Sequence, residues 1–361
     1  MSKIALSKVF LNDEARAAAI AALDSGMYVL GPESKAFESE LATYFDTEQC
    51  VLTSSCTASL RLLHECMGIS RGDEILVPAH TAFPTIESLM QFGARPVFID
   101  VDETYCVDPD HLAASVTPRT VGILPVHLYG HAADVEAISS LASRHGLWTV
   151  EDCAQASGAR YKGEPVGSFG HASVLSFYPS KNLAVPGDGG AVCTDDEALA
   201  DQIRILRNHG RHSKYLHEKV GYNLRFNEIQ AAVGRVALAH LDALNDHRRR
   251  VAAYYDRELA GLVTTPVERD WARHVYHMYV IRCDVRDDLA AFLKSHGIAT
   301  GIHYPVPNHR QPAVVDLYGE PEELPETDHL VDEILSLPMH GELPMEDVAR
   351  VCECIHEFFR G

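Results

Sequence analysis

The chain has 361 residues, of which 46% are hydrophobic and 23% charged, so it is long enough for two domains and is not intrinsically disordered. Its net charge of -20, from 31 basic and 51 acidic residues, leaves no basic surplus for binding nucleic acid. It has no apolar run of about eighteen residues, as a membrane span needs, and its first eight residues lack the apolar core of a secretion signal.

Helices and strands are predicted to alternate through the first half of the chain. The predicted helices lie at 12–23, 33–45, 56–67, 85–92, 108–115 and 135–146. The predicted strands lie at 50–53, 74–78, 96–100, 121–126 and 148–150. This order predicts an α/β fold with a mostly parallel sheet and helices on both faces. Ligands of such sheets bind beyond the carboxyl ends of the strands.

The second half of the chain begins with a long predicted helix at 228–259. Beyond it we predict strands at 276–282 and near 298–302, a helix at 287–296 and a terminal helix at 345–359. We therefore predict a large domain over 1–245 and a smaller C-terminal domain over 246–361.

A lysine and a carboxylate are predicted at the ends of two strands. Lys181 is the one lysine of eight that lies between an apolar strand pattern, SVLSF at 173–177, and a glycine-rich turn, GDGG at 187–190. Asp152 follows the apolar residues at 148–150. A pyridoxal phosphate enzyme needs a lysine to form a Schiff base and a carboxylate to keep the pyridine nitrogen protonated. These two residues therefore predict a pyridoxal phosphate site.

The segment TSSCTASL at 53–60 joins a predicted strand to a predicted helix. The amide groups that open a helix bind phosphate well, and small hydroxyl side chains assist them. Ser54, Ser55 or Thr57 can instead be an ordinary helix N-cap. Beside Lys181 and Asp152 we favour a phosphate site, because pyridoxal phosphate needs a third anchor.

The cysteines and histidines do not predict a metal site. The nine cysteines lack paired spacing, which is typical of reduced thiols in a cytoplasmic protein. Among the 20 histidines, His127 and His131 are four residues apart, but they follow a predicted strand and Gly130 separates them. They are therefore not expected on one helix face, and we expect no bound metal.

Several motifs, in order along nearly the whole chain, resemble those of the DegT/StrS-type sugar-nucleotide aminotransferases. The matching motifs are GPE at 31–33, PVHLYG at 125–130, EDCAQ at 151–155, SFYPSKNL at 176–183, GDGG at 187–190, RNHG at 207–210, GYNLRFNEIQAA at 221–232 and GIHYP at 301–305. The resemblance implies a fold type I pyridoxal phosphate transferase. Such a protein has a mostly parallel seven-stranded sheet flanked by helices and a smaller C-terminal α+β domain.

The resemblance also implies roles for single residues. Lys181 would be the catalytic residue, binding the cofactor covalently and moving the reaction's proton. Asp152 would pair with the pyridine nitrogen and Gln155 would lie near the phenolic oxygen. The residues around the phosphate would be Cys56, Thr57 and Ser176. Asn223 would reach the cofactor phosphate of the neighbouring subunit, which would make the active site a property of a homodimer. The residues near the substrate would be Tyr178, Arg225, His303 and Tyr304.

Two positions depart from the commonest pattern of that family. Cys56 stands where many relatives have glycine, so a side chain crowds the phosphate turn. Where relatives often place an aromatic residue that stacks on the cofactor ring, this chain has Ala82, followed by Phe83. We expect Phe83, or alternatively His80, to cover the ring.

The resemblance implies a ping-pong aminotransferase with pyridoxal 5′-phosphate as cofactor. L-glutamate would be the donor and a nucleotide-linked keto-sugar the acceptor, with a dTDP-3-keto-6-deoxyhexose expected. The retained Lys181 favours transamination over the dehydration that a histidine-bearing branch of the family performs. The alternatives are amination at C4, a cyclitol ketone as acceptor, a fold type I lyase, and a non-catalytic regulatory relative that binds the cofactor.

Overall fold

The fold is taken from a computed structural model that describes residues 3–361. Met1 and Ser2 lie outside the described residues. They are the first two residues of the predicted large domain and of the segment that was examined for a secretion signal. No helix within 3–361 is both long and apolar enough to cross a lipid bilayer.

Twelve α-helices and twelve strands follow one another along residues 3–361. The helices are α1 Asp13–Asp24, α2 Pro32–Tyr44, α3 Cys56–Cys66, α4 Pro84–Gln91, α5 Pro109–Ala114, α6 Val135–His145, α7 Glu197–Leu206, α8 Glu228–Leu259, α9 Arg286–Ser295, α10 Pro312–Tyr318, α11 Pro325–Glu333 and α12 Met345–Arg360. The strands are β1 Gln49–Thr53, β2 Glu74–Pro78, β3 Arg95–Ile99, β4 Thr120–Ile123, β5 Trp148–Asp152, β6 Arg160–Tyr161, β7 Glu164–Pro165, β8 Ala172–Ser176, β9 Gly190–Thr194, β10 Ala272–Arg273, β11 Tyr279–Arg282 and β12 Ile334–Leu337.

A seven-stranded sheet forms the centre of the fold, in the order β1-β9-β8-β5-β4-β2-β3. The pairs from β3 through β2, β4 and β5 to β8 are parallel, and β9 runs antiparallel to both β8 and β1. Six strands of this sheet therefore share one direction, so their carboxyl ends meet at one edge. The predicted α/β fold with a mostly parallel sheet is confirmed.

Apolar cores cover both faces of this sheet because successive strand residues point to opposite sides. Leu175 of β8 packs in a cluster with Phe37 of α2, whereas its neighbour Val174 packs in a second cluster with Leu60 of α3. Helices α2 and α8 thus lie on one face, and α3, α4 and α7 lie on the other.

Helix α8 passes from one core to another, over the range predicted for it. Leu241 belongs to the core around α2, whereas Val251 and Leu259 belong to a core with α9 and α12. The domain boundary predicted between residues 245 and 246 would fall between these two parts of α8. Ile4 also packs in the C-terminal core, so the start of the described chain returns to it.

The predicted strand near 298–302 is wrong. Ile298 and Gly301 make only isolated bridges, to Ile4 and Ser336. The strand that pairs with β11 is β12, which the sequence analysis missed, and β11 itself is shorter than the predicted 276–282. Strand β9, which begins at the last glycine of the glycine-rich turn, was also not predicted.

Candidate active site

The carboxyl ends of β1, β8 and β5 and the amino end of the antiparallel strand β9 lie at one cavity. Asp152 is the last residue of β5, and Lys181 follows β8, which pairs directly with β5. Cys56 follows β1, whose last residue, Thr53, pairs with Gly190 at the start of β9. The sheet order therefore brings together residues far apart in the sequence.

Asp152 is buried, with 3% of its surface exposed, and two hydrogen bonds fix its carboxylate. The Thr85 hydroxyl donates to Oδ2 at 2.9 Å, and the Ala154 amide donates to Oδ1 at 3.0 Å. Burial raises the pKa of Asp152, while these two hydrogen bonds and the charge of Lys181 lower it. The carboxylate is thus oriented before any ligand arrives.

Lys181 is partly buried, and burial lowers the pKa of its amine, against the raising effect of Asp152 and Cys56. The neighbouring side chain, Asn182, fixes its turn to other elements. Its Nδ2 donates to Asn245 Oδ1 of α8 at 2.8 Å and to the Val275 carbonyl at 3.1 Å. A lysine with a lowered pKa supplies an unprotonated amine closer to neutral pH, as a nucleophile requires.

The turn before α3 fits a phosphate group. Ser55 is the N-cap, since its hydroxyl accepts from the Ala58 amide at 3.1 Å. The amides of Cys56 and Thr57 open the helix, where a helix leaves its first amides without an internal acceptor. Gly190 packs against this turn so closely that a Cβ on it would lie 2.5 Å from the Cys56 nitrogen. Any larger residue at 190 would displace the turn.

Gln155 is held from two sides. Its Oε1 accepts from the Tyr129 amide at 2.9 Å, and its Nε2 donates to the Tyr304 hydroxyl at 3.1 Å. Burial raises the pKa of Tyr304 to about 12, so this phenol stays protonated near neutral pH. One N–H of the Gln155 amide is left for a ligand.

A cavity of about 300 Å³ opens between these groups. Its lining is formed by Ser55, Cys56, Thr57, Leu60, Thr81, Ala82, Pro84, Thr85, Val126, Asp152, Ala154, Gln155, Ser176, Tyr178, Lys181, Asp188 and Gly189. Six of the predicted cofactor residues are among them: Cys56, Thr57, Asp152, Gln155, Ser176 and Lys181. With an amine, a carboxylate and a helix start around one cavity, the residues fit pyridoxal phosphate.

The other predicted site residues lie elsewhere around the cavity or away from it. Tyr178 lines the cavity and is 53% exposed, whereas Tyr304 reaches it through Gln155. His303 does not line the cavity, and its Nδ1 lies 2.8 Å from the Ser336 hydroxyl. Arg225 donates to Asn208 at 3.3 Å, and Asn223 is exposed outside the cavity of its own chain.

Neither side chain predicted to cover the ring lines the cavity. Phe83 packs with the core around α3 and α4, and His80 is fully buried with its Nε2 2.6 Å from the Tyr129 hydroxyl. Ala82 lies on the cavity instead. The structure therefore gives Phe83 and His80 packing and hydrogen-bonding contacts, and no contact with the cavity.

Sequence reasoning missed Thr85 and Asn182. Both are polar residues next to a segment that the analysis singled out, but neither stood out by type or spacing. Their roles depend on distant partners, Asp152 for Thr85 and Asn245 for Asn182. A hydroxyl in the first turn of a helix that follows a parallel strand was the available signal for Thr85.

Three buried side chains of types that bind metals lie close together, namely His127, Glu151 and Cys153. Glu151 accepts from His127 at 2.9 Å and from the amides of Gly167, Phe169 and Gly170. Although burial raises the pKa of Glu151, these hydrogen bonds hold it below its usual range. His127 Nδ1 accepts from the Ala133 amide, so both of its nitrogens are engaged. These contacts make the cluster a hydrogen-bonded support for β5.

This fold, with a lysine and a buried carboxylate beyond adjacent parallel strands, defines a pyridoxal phosphate enzyme of fold type I. The chain belongs to the DegT/DnrJ/EryC1/StrS aminotransferase family, whose family model matches residues 10–356. It is therefore an enzyme, an aminotransferase, and its cofactor is pyridoxal 5′-phosphate.

Curated relatives cover almost all of the chain. The erythromycin biosynthesis sensory transduction protein EryC1 of Saccharopolyspora erythraea is 46% identical, over 90% of this chain and 89% of its own. The dTDP-3-amino-3,4,6-trideoxy-alpha-D-glucose transaminase of Streptomyces venezuelae is 43% identical, over 96% of this chain and 93% of the relative. The UDP-N-acetyl-3-dehydro-alpha-D-glucosamine 3-aminotransferase of Acidithiobacillus ferrooxidans is 41% identical, over 94% of this chain and 92% of the relative.

Two solved structures have the same fold. S. venezuelae DesV in complex with a ketimine intermediate is 41% identical, with a TM-score of 0.94 and 99% of both chains covered. NtdA of Bacillus subtilis with bound cofactor PMP is 30% identical, with a TM-score of 0.91, over 100% of this chain and 86% of its own.

Proposed function

We propose that this aminotransferase moves an amino group from L-glutamate to C3 of a nucleotide-linked keto-sugar, a dTDP-3-keto-6-deoxyhexose, in two half-reactions at one site. The observation that carries the proposal is the single cavity on which Lys181, Asp152 and the start of α3 converge. The position of amination is supported by the two transaminase relatives at 41–43% identity, since both are named for reactions at carbon 3 of a sugar.

One cofactor and a few side chains account for the chemistry. When bound, pyridoxal phosphate supplies a ring that withdraws electrons from the carbon that loses its proton. Asp152, aligned by Thr85 and Ala154, would hold a proton on the ring nitrogen and so strengthen that withdrawal. Cys56, Thr57 and Ser176 would bind the phosphate, and Gln155 would donate to the phenolic oxygen.

Lys181 would first bind the cofactor covalently and, once released by the donor, carry the proton at Nζ. Its lowered pKa suits this second role, because a general base works best with a pKa close to the working pH. Burial excludes much of the solvent that would otherwise exchange that proton.

Substrates would enter past the exposed side of the cavity. Tyr178 lies on that side with 53% of its surface exposed, and we propose that it contacts the sugar substrate. Arg225 would attract the carboxylates of L-glutamate or the phosphates of the nucleotide, and His303 and Tyr304 would contact the sugar from the C-terminal side.

We further propose a homodimer in which each subunit completes the other's site through Asn223. An apolar patch of Ile20, Leu23, Met27, Tyr28 and Val29 is about half exposed on and after α1. Val29 bridges to Asn227, so the patch adjoins the segment that carries Asn223. A contiguous exposed apolar patch of this kind marks a protein interface, and its proximity to Asn223 supports a shared site.

A non-catalytic regulatory role is the second candidate, because one relative is named as a sensory transduction protein. The presence of Lys181 and Asp152 in the cavity favours catalysis. We also propose that the protein is located in the cytoplasm, as predicted from its scattered cysteines. All nine cysteines are free thiols, which agrees with this proposal.

The acceptor is tested in the reverse direction, since amino sugars are more stable than keto-sugars. The purified enzyme receives 2-oxoglutarate and, in separate reactions, dTDP-3-amino and dTDP-4-amino 6-deoxyhexoses, a UDP-3-amino sugar and an amino-cyclitol. Formation of L-glutamate with the dTDP-3-amino sugar, and not in a Lys181→Ala control, is the expected result. If L-glutamate formed only with one of the other amines, the keto form of that amine would replace the proposed acceptor. If no amine gave L-glutamate, the result would contradict the proposed function.

A further inference from the structure

Tyr129 makes hydrogen bonds to both sides of the candidate site although it does not line the cavity. It lies in a short turn between β4 and α6, with a φ of 56° and 2% of its surface exposed. A positive φ is unfavourable for a bulky residue, so its surroundings must hold this conformation in place.

The backbone of Tyr129 fixes one side of the site. Its amide donates to Gln155 Oε1 at 2.9 Å. This hydrogen bond holds Oε1 on the side of Tyr129, so that Nε2 lies on the side of Tyr304. A Gln155 amide rotated by half a turn would place its NH₂ group against the Tyr129 N–H, two donors facing each other. The left-handed backbone of Tyr129 thus selects one orientation of Gln155.

The side chain of Tyr129 fixes the other side. Its hydroxyl donates to the backbone carbonyl of His303, the residue directly before Tyr304. The same oxygen lies 2.6 Å from His80 Nε2, so His80 is the donor in that pair. Burial lowers the pKa of His80 to about 3, which is consistent with a neutral imidazole carrying its proton on Nε2.

From these contacts we infer that Tyr129 is a positioning residue that aligns Gln155 and Tyr304 as one pair facing the cofactor. Its amide orients Gln155 and its hydroxyl places Tyr304, so the hydrogen bond between the two depends on both contacts. The inference rests on the proposed role of Gln155 beside the phenolic oxygen and is independent of which sugar is the acceptor.

The test removes single hydroxyl groups and measures how the apoenzyme binds pyridoxal phosphate. Tyr129→Phe keeps the ring but releases the 303–304 segment, and Tyr304→Phe removes the partner of Gln155 directly. We expect each to weaken binding by about tenfold, as one lost hydrogen bond to a ligand-contacting group does. We also expect both to move the absorption maximum of the bound cofactor in the same direction.

Two comparisons separate positioning from a general loss of structure. Tyr129→Phe/Tyr304→Phe should bind no more weakly than Tyr304→Phe alone, because the two act through one pair. Tyr105→Phe is the matched control, since its ring lies 5.2 Å from that of Tyr129 in the same cluster and its hydroxyl makes none of these contacts. It should leave the affinity and the absorption maximum unchanged.

Additive effects in the double variant, or a Tyr129→Phe spectrum equal to that of Tyr105→Phe, would overturn the inference. If Tyr129→Phe does not fold, Gln155→Ala and Tyr304→Phe test the same pair without touching Tyr129, and additivity between them would again overturn it. Because the readout is cofactor binding, it remains measurable even if the proposed amino acceptor is wrong.

Discussion

The hydroxyl of Thr85 donates a hydrogen bond to the Asp152 carboxylate across 2.9 Å, linking the start of α4 to the end of β5. Both groups are buried, with 3% of each residue exposed, so water does not compete for this contact. The orientation of the carboxylate beside Lys181 therefore depends on a residue 67 positions earlier in the chain.

Replacing Thr85 by valine keeps the shape of the side chain and removes the donor. The pKa of Asp152 should rise further, because this hydrogen bond lowers it. We expect pyridoxal phosphate to bind about ten to a hundredfold more weakly, the value of a hydrogen bond to a charged group. Fluorescence titration of the apoenzyme measures this. Thr85→Ser restores the hydroxyl and should bind nearly as the native enzyme does; equal affinities of the valine and serine variants would count against the role of Thr85.

The amine of Lys181 should react as a free base at a lower pH than an ordinary lysine. Burial lowers its pKa, and the negative charge of Asp152 opposes that effect. In the apoenzyme, Asp152→Asn removes the opposing charge, so the pKa of Lys181 should fall further. The test follows acetylation of Lys181 against pH by mass spectrometry, without any cofactor. We expect the midpoint to move to lower pH in Asp152→Asn, and a move to higher pH would show that the two groups do not interact as the structure indicates.

Glu228 should stabilise the fold independently of catalysis. Its buried carboxylate accepts from the amides of Gly31, Glu33 and Ser34 at 2.8–3.0 Å, at the start of α2. Glu228→Gln removes the charge and turns an NH₂ group toward these donors, which should cost about 2–3 kcal/mol of unfolding free energy. Thermal and urea unfolding measure the loss.

The matched control for Glu228 is Glu33→Gln in the same turn. The side chain of Glu33 pairs with Arg235 at 2.7 Å near the surface, while its amide still donates to Glu228. A partly exposed ion pair contributes less than about 1 kcal/mol. If both variants lost the same unfolding free energy, the loss would be caused by removing any negative charge at this turn, and the cap formed by Glu228 would have no specific role.

A shared active site predicts complementation between two inactive variants. Lys181→Ala lacks the amine proposed to be catalytic, and Asn223→Ala lacks the group proposed to reach the partner's phosphate. In a dimer with one subunit of each kind, one of the two sites has both residues, so random mixing should restore about a quarter of the native activity. Refolding the two variants together and assaying the mixture tests this. Activity no higher than the sum of the separate variants would contradict a shared site.

Six of the residues that line the cavity could be named from the sequence, because they lie at or shortly after the ends of strands. Asp152 could be predicted because it follows an apolar strand pattern, Lys181 because it lies between an apolar strand pattern and a glycine-rich turn, and α8 because of its long helical pattern. Strand order was not available in the same way. Thr85 can reach Asp152 because β2 and β5 are parallel and only β4 lies between them, so the segment after β2 and the end of β5 lie at the same edge of the sheet. Strand β12 was not predicted, because it follows α11 directly, without a glycine or proline to mark its start.

The backbone directions at Phe83 and Tyr129 could not be predicted from the sequence. Helix α4 begins at Pro84, and this turns Phe83 into the core and leaves Ala82 on the cavity. The left-handed backbone of Tyr129 has no sequence signal, since a tyrosine rarely adopts it. Local patterns report burial and periodicity, whereas these contacts are set by tertiary packing.

We expect Lys181 and the cavity around it to perform the first half of a transamination. This is tested by the absorption spectrum of the enzyme with bound pyridoxal phosphate, recorded before and after L-glutamate in a single turnover, with 2-oxoglutarate measured in the same sample. We expect the cofactor to be converted to its amine form with about one 2-oxoglutarate formed per site, and we expect neither change in Lys181→Ala. An absorption spectrum that changes with neither glutamate nor glutamine would contradict transamination and would favour a lyase or a non-catalytic role.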